Sequence, residues 1–451
     1  MNDDLNLQRF DVLVIGAGPA GLAAAHAAAS GGKRVGVVDD NPVAGGQIWR
    51  GGPARQADPR ARKLWAELQS AGNVHYMPQT RVLYAPEAGQ LLVQVAAVAA
   101  SPAEPAAGGG AQAVHGGGML LHYDRLILAT GARELLLPFP GWTLPGVTGA
   151  GGLQALAKGG YPVQGKRVVV AGSGPLLLAV AATLRERGAT IAAIVEQAPL
   201  PQLAKFASGL LATPSKIGQA LQLAGRLRGV PYWKNAFVRA AHPSAVNDGL
   251  HSVVVQLGSD PSHVGEIDCD YLACGYGLLP NLELAMALGC AVDKAVLVDA
   301  SQQTSIPGIY CAGEGTGIGG VDLALAEGRI AGLAAAGLAA PAPALHAERA
   351  RWRRFAQRLA AAFTLRPELR HLAAHDTIVC RCEDVCHGEL HQHTSWRSAK
   401  LHTRCGMGPC QGRICGGATD VLYGWRPDAV RLPLSPARIG SILAATEQEL
   451  M

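Results

Sequence analysis

The residues with the clearest chemistry are cysteines near the end of the chain. Cys380-Arg381-Cys382 is followed after 22 intervening residues by Cys405-Gly406-Met407-Gly408-Pro409-Cys410. Four thiols in two close pairs, one inside a Gly/Pro turn, suit a metal centre. Structural zinc usually takes two knuckles with two residues between ligands, whereas a CxC pair with a CxxxxC pair fits a four-cysteine [2Fe–2S] centre better. Cys380, Cys382, Cys405 and Cys410 are the expected ligands. Cys386 and Cys415 are left outside because these four already complete a set. His387, His391 and His393 lie close by and are read as solvated loop residues. The distribution supports a metal: none of the ten cysteines precedes Cys269 and six fall in the last 77 residues, unlike a disulfide scaffold.

A second chemistry-bearing element opens the chain. Gly16-Ala17-Gly18-Pro19-Ala20-Gly21 follows an apolar run, Asp11 to Ile15, and begins an alanine-rich helical stretch, Ala20 to Ser30. The next strand, Val35 to Val38, ends in Asp39, 23 residues after Gly16. In such a unit Gly16 permits the tight turn, Gly18 lets the backbone approach a pyrophosphate, and Gly21 lets helix and strand pack closely. The helix N-terminus then faces phosphate, and the Asp39 carboxylate can accept from an adenosine ribose. The position of the motif at the start of the chain favours FAD over NAD.

The unit recurs. The strand Arg167 to Ala171, a turn at Gly172, a helix to Gly188 and the strand Ile191 to Val195 repeat it. Gly172-Ser173-Gly174-Pro175-Leu176-Leu177 keeps Gly172 and Gly174 but has Leu177 at the third glycine position, which can force the helix from the strand. Glu196 ends the following strand and would favour a ribose 2′-hydroxyl over a 2′-phosphate. NAD, another adenine nucleotide and a vestigial domain all stay open here.

The expected architecture is α/β: two Rossmann-like dinucleotide-binding domains plus a small C-terminal four-cysteine domain. Boundaries are placed at 1–150 and 297–374 for the two parts of the FAD domain, the latter with a helical linker, 151–296 for the second nucleotide-binding domain, and 375–451 for the cysteine module. Ala100 to Gly118 reads as a flexible Pro/Ala/Gly insertion. Leu200 to Gly229 reads as helical, a lid or an interface. Ala342 to Ala374 contains a basic amphipathic helix with one packed face.

Composition narrows the class. Hydrophobic residues make up 49% and charged residues 16% of the 451, against about 25% charged in ordinary soluble proteins, so a disordered chain is excluded. The net charge of +5 is mild and spread out, which gives no case for nucleic acid. Ile330 to Leu345 is broken by Pro341 and Pro343 and makes a poor membrane span. With no signal peptide expected in the polar Met1 to Phe10, the chain reads as soluble and cytoplasmic. No Ser/His/Asp or Cys/His constellation is legible, so catalytic residues are left unassigned.

Family resemblance adds to this reading. Leu126-Ile127-Leu128-Ala129-Thr130-Gly131-Ala132-Arg133 resembles the "ATG" segment of glutathione-reductase-like flavoproteins. Ile309-Tyr310-Cys311-Ala312-Gly313-Glu314 resembles their late flavin segment, with Glu314 where most have Asp. The resemblance implies flavin contacts at Thr130, Gly131, Gly313 and Glu314, and a discontinuous FAD domain closed after Leu297. The redox-active cysteine pair of the disulfide reductases has no counterpart, since Asn41 to Arg50 contains no cysteine.

Val379 to Val385 and Thr403 to Arg413 closely resemble the bacterioferritin-associated-ferredoxin-like module of certain amine-oxidising complexes. These are opine oxidases, D-hydroxyproline dehydrogenases, hydrogen cyanide synthase and, more distantly, heterotetrameric sarcosine oxidase. The resemblance includes Gly45-Gly46-Gln47-Ile48, which places Gly46 and Gln47 at the flavin. It also includes Pro138-Phe139-Pro140-Gly141-Trp142 and Gly275-Tyr276-Gly277-Leu278-Leu279-Pro280-Asn281. It implies an alpha subunit carrying FAD and a [2Fe–2S] cluster. An FAD-containing beta subunit related to D-amino-acid oxidases would oxidise a CH–NH or CH–NH2 substrate, D-hydroxyproline being the first candidate. A small [2Fe–2S] gamma subunit often accompanies the pair, and an FMN at a subunit interface stays open. The competing expectation is a self-sufficient NAD(P)H-dependent FAD/iron–sulfur reductase, and an assembly scaffold is the third.

Overall fold

A computed structural model describes residues 7–96, 117–246, 248–338 and 343–443. They form two compact units interleaved along the chain: the described residues within 1–132, 280–352 and 429–451 make one, and those within 133–279 and 353–428 the other. The Pro/Ala/Gly tract falls almost wholly on residues 97–116, outside the described residues.

The first unit is built on a seven-stranded sheet. Val74–Met77, Val35–Val38, Leu7–Ile15, Gly118–Leu128 and Ile309–Cys311 lie side by side in parallel; Gln90–Val95 pairs antiparallel with Gly118–Leu128, and Thr80–Tyr84 antiparallel with Gln90–Val95. Val12, Leu13 and Val14 are fully buried, as a parallel strand covered on both faces requires. The helix Pro19–Ser30 starts directly after Gly18, with Pro19 in its first turn, where a missing N–H costs nothing. It packs against Val321–Ala335, the helix that follows the strand Ile309–Cys311. The first unit thus closes only when the chain returns after its central excursion. Residues 429–443 come back to it as well: Leu434 is buried in its core and its N–H donates to the Leu83 carbonyl at 2.7 Å.

The second unit repeats the parallel plan with five strands in the order Tyr232–Lys234, Thr190–Glu196, Arg167–Gly172, Tyr271–Gly275, Val147–Gly149. An antiparallel meander, Ala236–Pro243, Leu250–Leu257 and Val264–Asp268, packs beside it. The cysteine module belongs to this unit. It consists of a hairpin, Ile378–Cys380 with Val385–Cys386, and the helices His387–Leu390, Trp396–Thr403 and Cys415–Tyr423. Ile414 and Val421 lie against the core that holds Phe139, Trp142 and Phe237. Leu200–Gly209 and Pro214–Arg226 are helices with no buried residue. The basic helix runs over Pro343–Ala362, with Trp352 buried. Among the described residues no helix is long and apolar enough to cross a membrane.

Candidate flavin and cysteine sites

In the first unit the phosphate turn has the geometry its glycines demand. Gly16 has φ +104°, and a methyl group there would stand 2.2 Å from the Ala129 carbonyl oxygen. A methyl group on Gly21 would stand 1.8 Å from the Gly16 carbonyl oxygen, so only hydrogen fits between helix and strand. Gly46 lies on the turn itself, its would-be Cβ 3.0 Å from the Gly18 Cα. Asp39 is buried; one carboxylate oxygen accepts from the Ala17 N–H at 2.5 Å and the other from Asn41 N and Nδ2, both at 2.8 Å. A carboxylate offers about four lone-pair sites, so room remains for a ribose hydroxyl.

The later residues expected at the flavin lie in the same unit, several of them engaged in holding its loops. The Thr130 hydroxyl donates to the Asn281 carbonyl at 2.9 Å, and Asn281 Nδ2 returns a bond to the Thr130 carbonyl at 2.8 Å. Gly131, at φ +68°, faces open space. Glu314 accepts from the amides of Gly319 (3.1 Å) and Gly320 (2.9 Å), just before the helix Val321–Ala335, and burial raises its carboxyl above the usual range. Gln47 is exposed and accepts from Arg50. Sequence reasoning missed Glu327. It is fully buried and accepts from the Gly313 amide at 3.1 Å and the Thr316 hydroxyl at 2.6 Å, so it holds the Gly313–Thr316 turn in place. An acid on the buried face of a largely apolar helix was the available signal. The glycine cradle and the ribose carboxylate fit FAD.

The second motif is built alike, yet its turn is covered. Glu196 is 1% exposed and accepts from Gly174 N (2.7 Å) and Ala198 N (2.9 Å); burial pushes its carboxyl up to about 7. The helix starts at Leu176, after Pro175, and Leu177 in its first turn is buried. Over the turn lies the segment that follows the basic helix. A methyl group on Gly174 would stand 3.6 Å from the Phe363 ring, and the Ser173 hydroxyl donates to the Phe363 carbonyl at 3.2 Å. Gln197, fully buried, donates to the Thr364 carbonyl at 3.1 Å and accepts from Arg366 N at 3.0 Å. The groove that would receive a pyrophosphate is thus lined by the chain's own residues 363–366.

The cysteine module brings five thiols together. Cys380, Cys382, Cys410 and Cys415 line one cavity of about 240 Å3, together with Leu136, Arg381 and Ile414. The sulfurs of Cys380, Cys405 and Cys415 all lie within 4.8 Å of one another, among the described residues the one group placed to hold a metal ion. Hydrogen bonds from the Cys405 and Cys415 thiols hold the Cys380 thiol well below its usual range. Cys382 and Cys410 are hydrogen-bonded to each other. Of the four cysteines expected as ligands, Cys405 is therefore off the cavity wall, and Cys415, left out on sequence, is on it. The reason is local. Cys415 opens the helix Cys415–Tyr423, whose first turn packs against the strand Ile378–Cys380. The Cys405–Cys410 loop fits against Cys382 only because residue 408 is glycine: its would-be Cβ would stand 2.4 Å from the Cys382 Cβ. Four thiols around a small apolar-walled cavity fit a [2Fe–2S] cluster.

Cys386 caps the helix His387–Leu390 and points its sulfur at the Asp376 carbonyl. His387 is no solvated loop residue: it stacks on Tyr423, with 2.5 Å between its Nδ1 and the Tyr423 hydroxyl. His391 is exposed, and His393 bonds the Ser398 hydroxyl at 3.1 Å.

The two sequence segments singled out by resemblance turn out to be the seat of this module. Trp142 donates its indole N–H to the Ile378 carbonyl at 2.6 Å, Arg381 lies over the Trp142 ring at 5.3 Å, and Leu279 packs on Gly417. Trp142→Phe keeps most of the ring volume but removes that hydrogen bond. We expect a loss of about 1 kcal/mol, or a fall of roughly 2–4 °C in Tm by calorimetry. An unchanged Tm would mean that packing alone seats the module.

Comparison with known proteins agrees with this geometry. Residues 10–331 match the family model for pyridine nucleotide-disulphide oxidoreductases. The chain is 32% identical to the A subunit of opine oxidase from Rhizobium meliloti (strain 1021), over 97% of this chain and 99% of that one. It is likewise 32% identical to the HcnB subunit of hydrogen cyanide synthase from Pseudomonas protegens, over 94% and 95%. Among solved structures, L-proline dehydrogenase from P. horikoshii superposes with a TM-score of 0.63 at 20% identity, covering 97% of this chain and 81% of that one. Fold, glycine turns and sequence together make it an FAD-dependent oxidoreductase: the chain belongs to the pyridine nucleotide-disulphide oxidoreductase family, in the group that includes HcnB and the A subunit of opine oxidase.

Proposed function

We propose that this chain is the FAD- and [2Fe–2S]-carrying electron-transfer subunit of a multisubunit amino- or imino-acid dehydrogenase. A separate beta subunit, related to D-amino-acid oxidases and holding its own FAD, oxidises the amine. A small gamma subunit with a further [2Fe–2S] centre and an FMN at a subunit interface belong to the same proposal. The observation that carries it is the cavity walled by Cys380, Cys382, Cys410 and Cys415 in a flavoprotein with no cysteine between Asn41 and Arg50. We assign those four thiols as ligands. FAD exchanges two electrons or one and an iron–sulfur cluster one, so the pair supplies a step from two-electron to single-electron transfer. The chain's residues bind and insulate: Gly16, Gly18, Gly21 and Gly46 admit the pyrophosphate, Asp39 takes the ribose, and Leu136 and Ile414 wall the cluster. The names of the relatives support membership of a complex. Opines and proline carry secondary amines, which supports an imino acid or secondary amine, D-hydroxyproline first, as substrate of the whole assembly.

Glu196, at the ribose position of the second motif, favours a second reading, the self-sufficient NAD(P)H-dependent reductase. Phe363 over Gly174 opposes it. An anaerobic absorbance titration of the purified chain with NADH and then NADPH separates the two. The flavin band is expected to stay oxidised with both nucleotides and with free imino acids, and to bleach once the amine-oxidising partner and substrate are added. Rapid bleaching by NADH alone, with electrons appearing on the cluster, would sink the subunit reading.

A further inference from the structure

We infer that Cys405 is not a ligand but a hydrogen-bond donor to the ligand sulfurs, and that it sets the reduction potential of the cluster. The inference rests on the reading of the thiol-lined cavity as a [2Fe–2S] site. That site needs four thiolates, and the module supplies five neighbouring thiols. Four line the cavity; the fifth, Cys405, is fully buried and does not. Its sulfur nonetheless lies within 4.8 Å of the sulfurs of both Cys380 and Cys415, so it stands behind the wall that those two form.

The surrounding chain keeps it there. The helix Trp396–Thr403 ends with Arg404 in the left-handed region (φ +65°), which turns the backbone sharply into Cys405. The Cys405 N–H is held by the Thr403 hydroxyl at 3.2 Å, and the next amide, that of Gly406, points at the Cys380 sulfur at 3.5 Å. The Trp396 ring packs against Gly406 and Gly412. Cys380 thus faces two donors from one turn, an amide and a thiol. Donors to a ligand sulfur draw off negative charge and favour the reduced cluster, which carries one electron more. An alanine at 405 keeps a small apolar side chain there but removes the donor of the two that Cys405 supplies.

The test uses the full chain, purified anaerobically and reconstituted with iron and sulfide, in wild-type, Cys405→Ala, Cys405→Ser and Cys415→Ala forms. Iron and sulfide content and the visible circular dichroism report the cluster. Its midpoint potential is read by redox titration followed by electron paramagnetic resonance. We expect Cys405→Ala to keep the cluster and to shift its reduction equilibrium three- to tenfold toward the oxidised form, tenfold corresponding to 59 mV for one electron. Cys405→Ser, which keeps a donor, should move back toward wild type, and Cys415→Ala should lose the cluster. If Cys405→Ala does not fold, Cys405→Val against Cys405→Ser makes the same comparison.

A Cys405→Ala protein with an unchanged potential overturns the inference. So does one that loses its cluster while Cys415→Ala keeps it, because Cys405 is then a ligand and the iron–sulfur reading itself stands. Wild-type protein that takes up no cluster refutes that reading, and the inference with it.

Discussion

Cys380→Ala is expected to lower the iron content of the purified chain by roughly tenfold or more while leaving FAD bound. The size follows from the position of this residue. Cys380 lines the cavity and is buried, its sulfur receives the Gly406 amide, and Cys405 and Cys415 both lie against it. Loss of an outer-shell partner alone typically costs 10- to 100-fold in metal affinity, so loss of a central thiolate should cost at least as much. FAD should be retained because every glycine of the phosphate turn and Asp39 lie in the other compact unit. Iron analysis and the flavin-to-protein ratio, measured on one preparation, check both halves. Simultaneous loss of iron and flavin would mean that the cysteine module is needed for the whole chain to fold. Retained iron would remove Cys380 from the ligand set.

Gly21→Leu is expected to act in the opposite sense, emptying the flavin site. A Cβ at residue 21 would stand 1.8 Å from the Gly16 carbonyl oxygen, closer than any relaxation of a side chain can relieve, because the obstacle is backbone. The helix Pro19–Ser30 must then move away from the strand Leu7–Ile15, and the amides at its start leave the pyrophosphate. Overpacking of this kind costs on the order of 3 kcal/mol, about a hundredfold in FAD affinity. The readout is the Kd for FAD, from flavin fluorescence on the deflavinated protein. An affinity within a few-fold of wild type would show that the close helix–strand contact is dispensable. The second domain carries Leu177 at the corresponding position, and its helix begins at Leu176.

The two glycine turns were readable from the chain because their information is local. A strand, a tight turn and a helix are consecutive, and hydrogen at residue 21 answers a clash with residue 16, five positions away. The elements accordingly fall where periodicity and glycines put them: Val35–Val38 agrees with the sequence reading, and Leu7–Ile15 differs by a few residues at its start. The cysteine spacing announced a clustered thiol module for the same reason.

What the sequence by itself determined was the presence and type of these local units: two nucleotide-fold turns, an acidic residue at the end of each following strand, and a compact cysteine-rich module. Tertiary structure alone decided how they are completed. Cys415 joins Cys380 on the cavity wall because a helix start returns to a strand more than thirty residues earlier, a contact that spacing between neighbouring cysteines does not encode. Phe363 covers Gly174 across nearly two hundred positions, and Glu327 reaches the Gly313 turn only when its helix folds back. Interleaving of the two units has the same origin. A parallel strand needs a crossover before its neighbour can be added, so Ile309–Cys311 pairs with Gly118–Leu128 only after the central excursion of the chain. Propensity acts over a few residues, whereas these contacts pair groups distant in sequence and are selected by burial and hydrogen bonding in the folded whole.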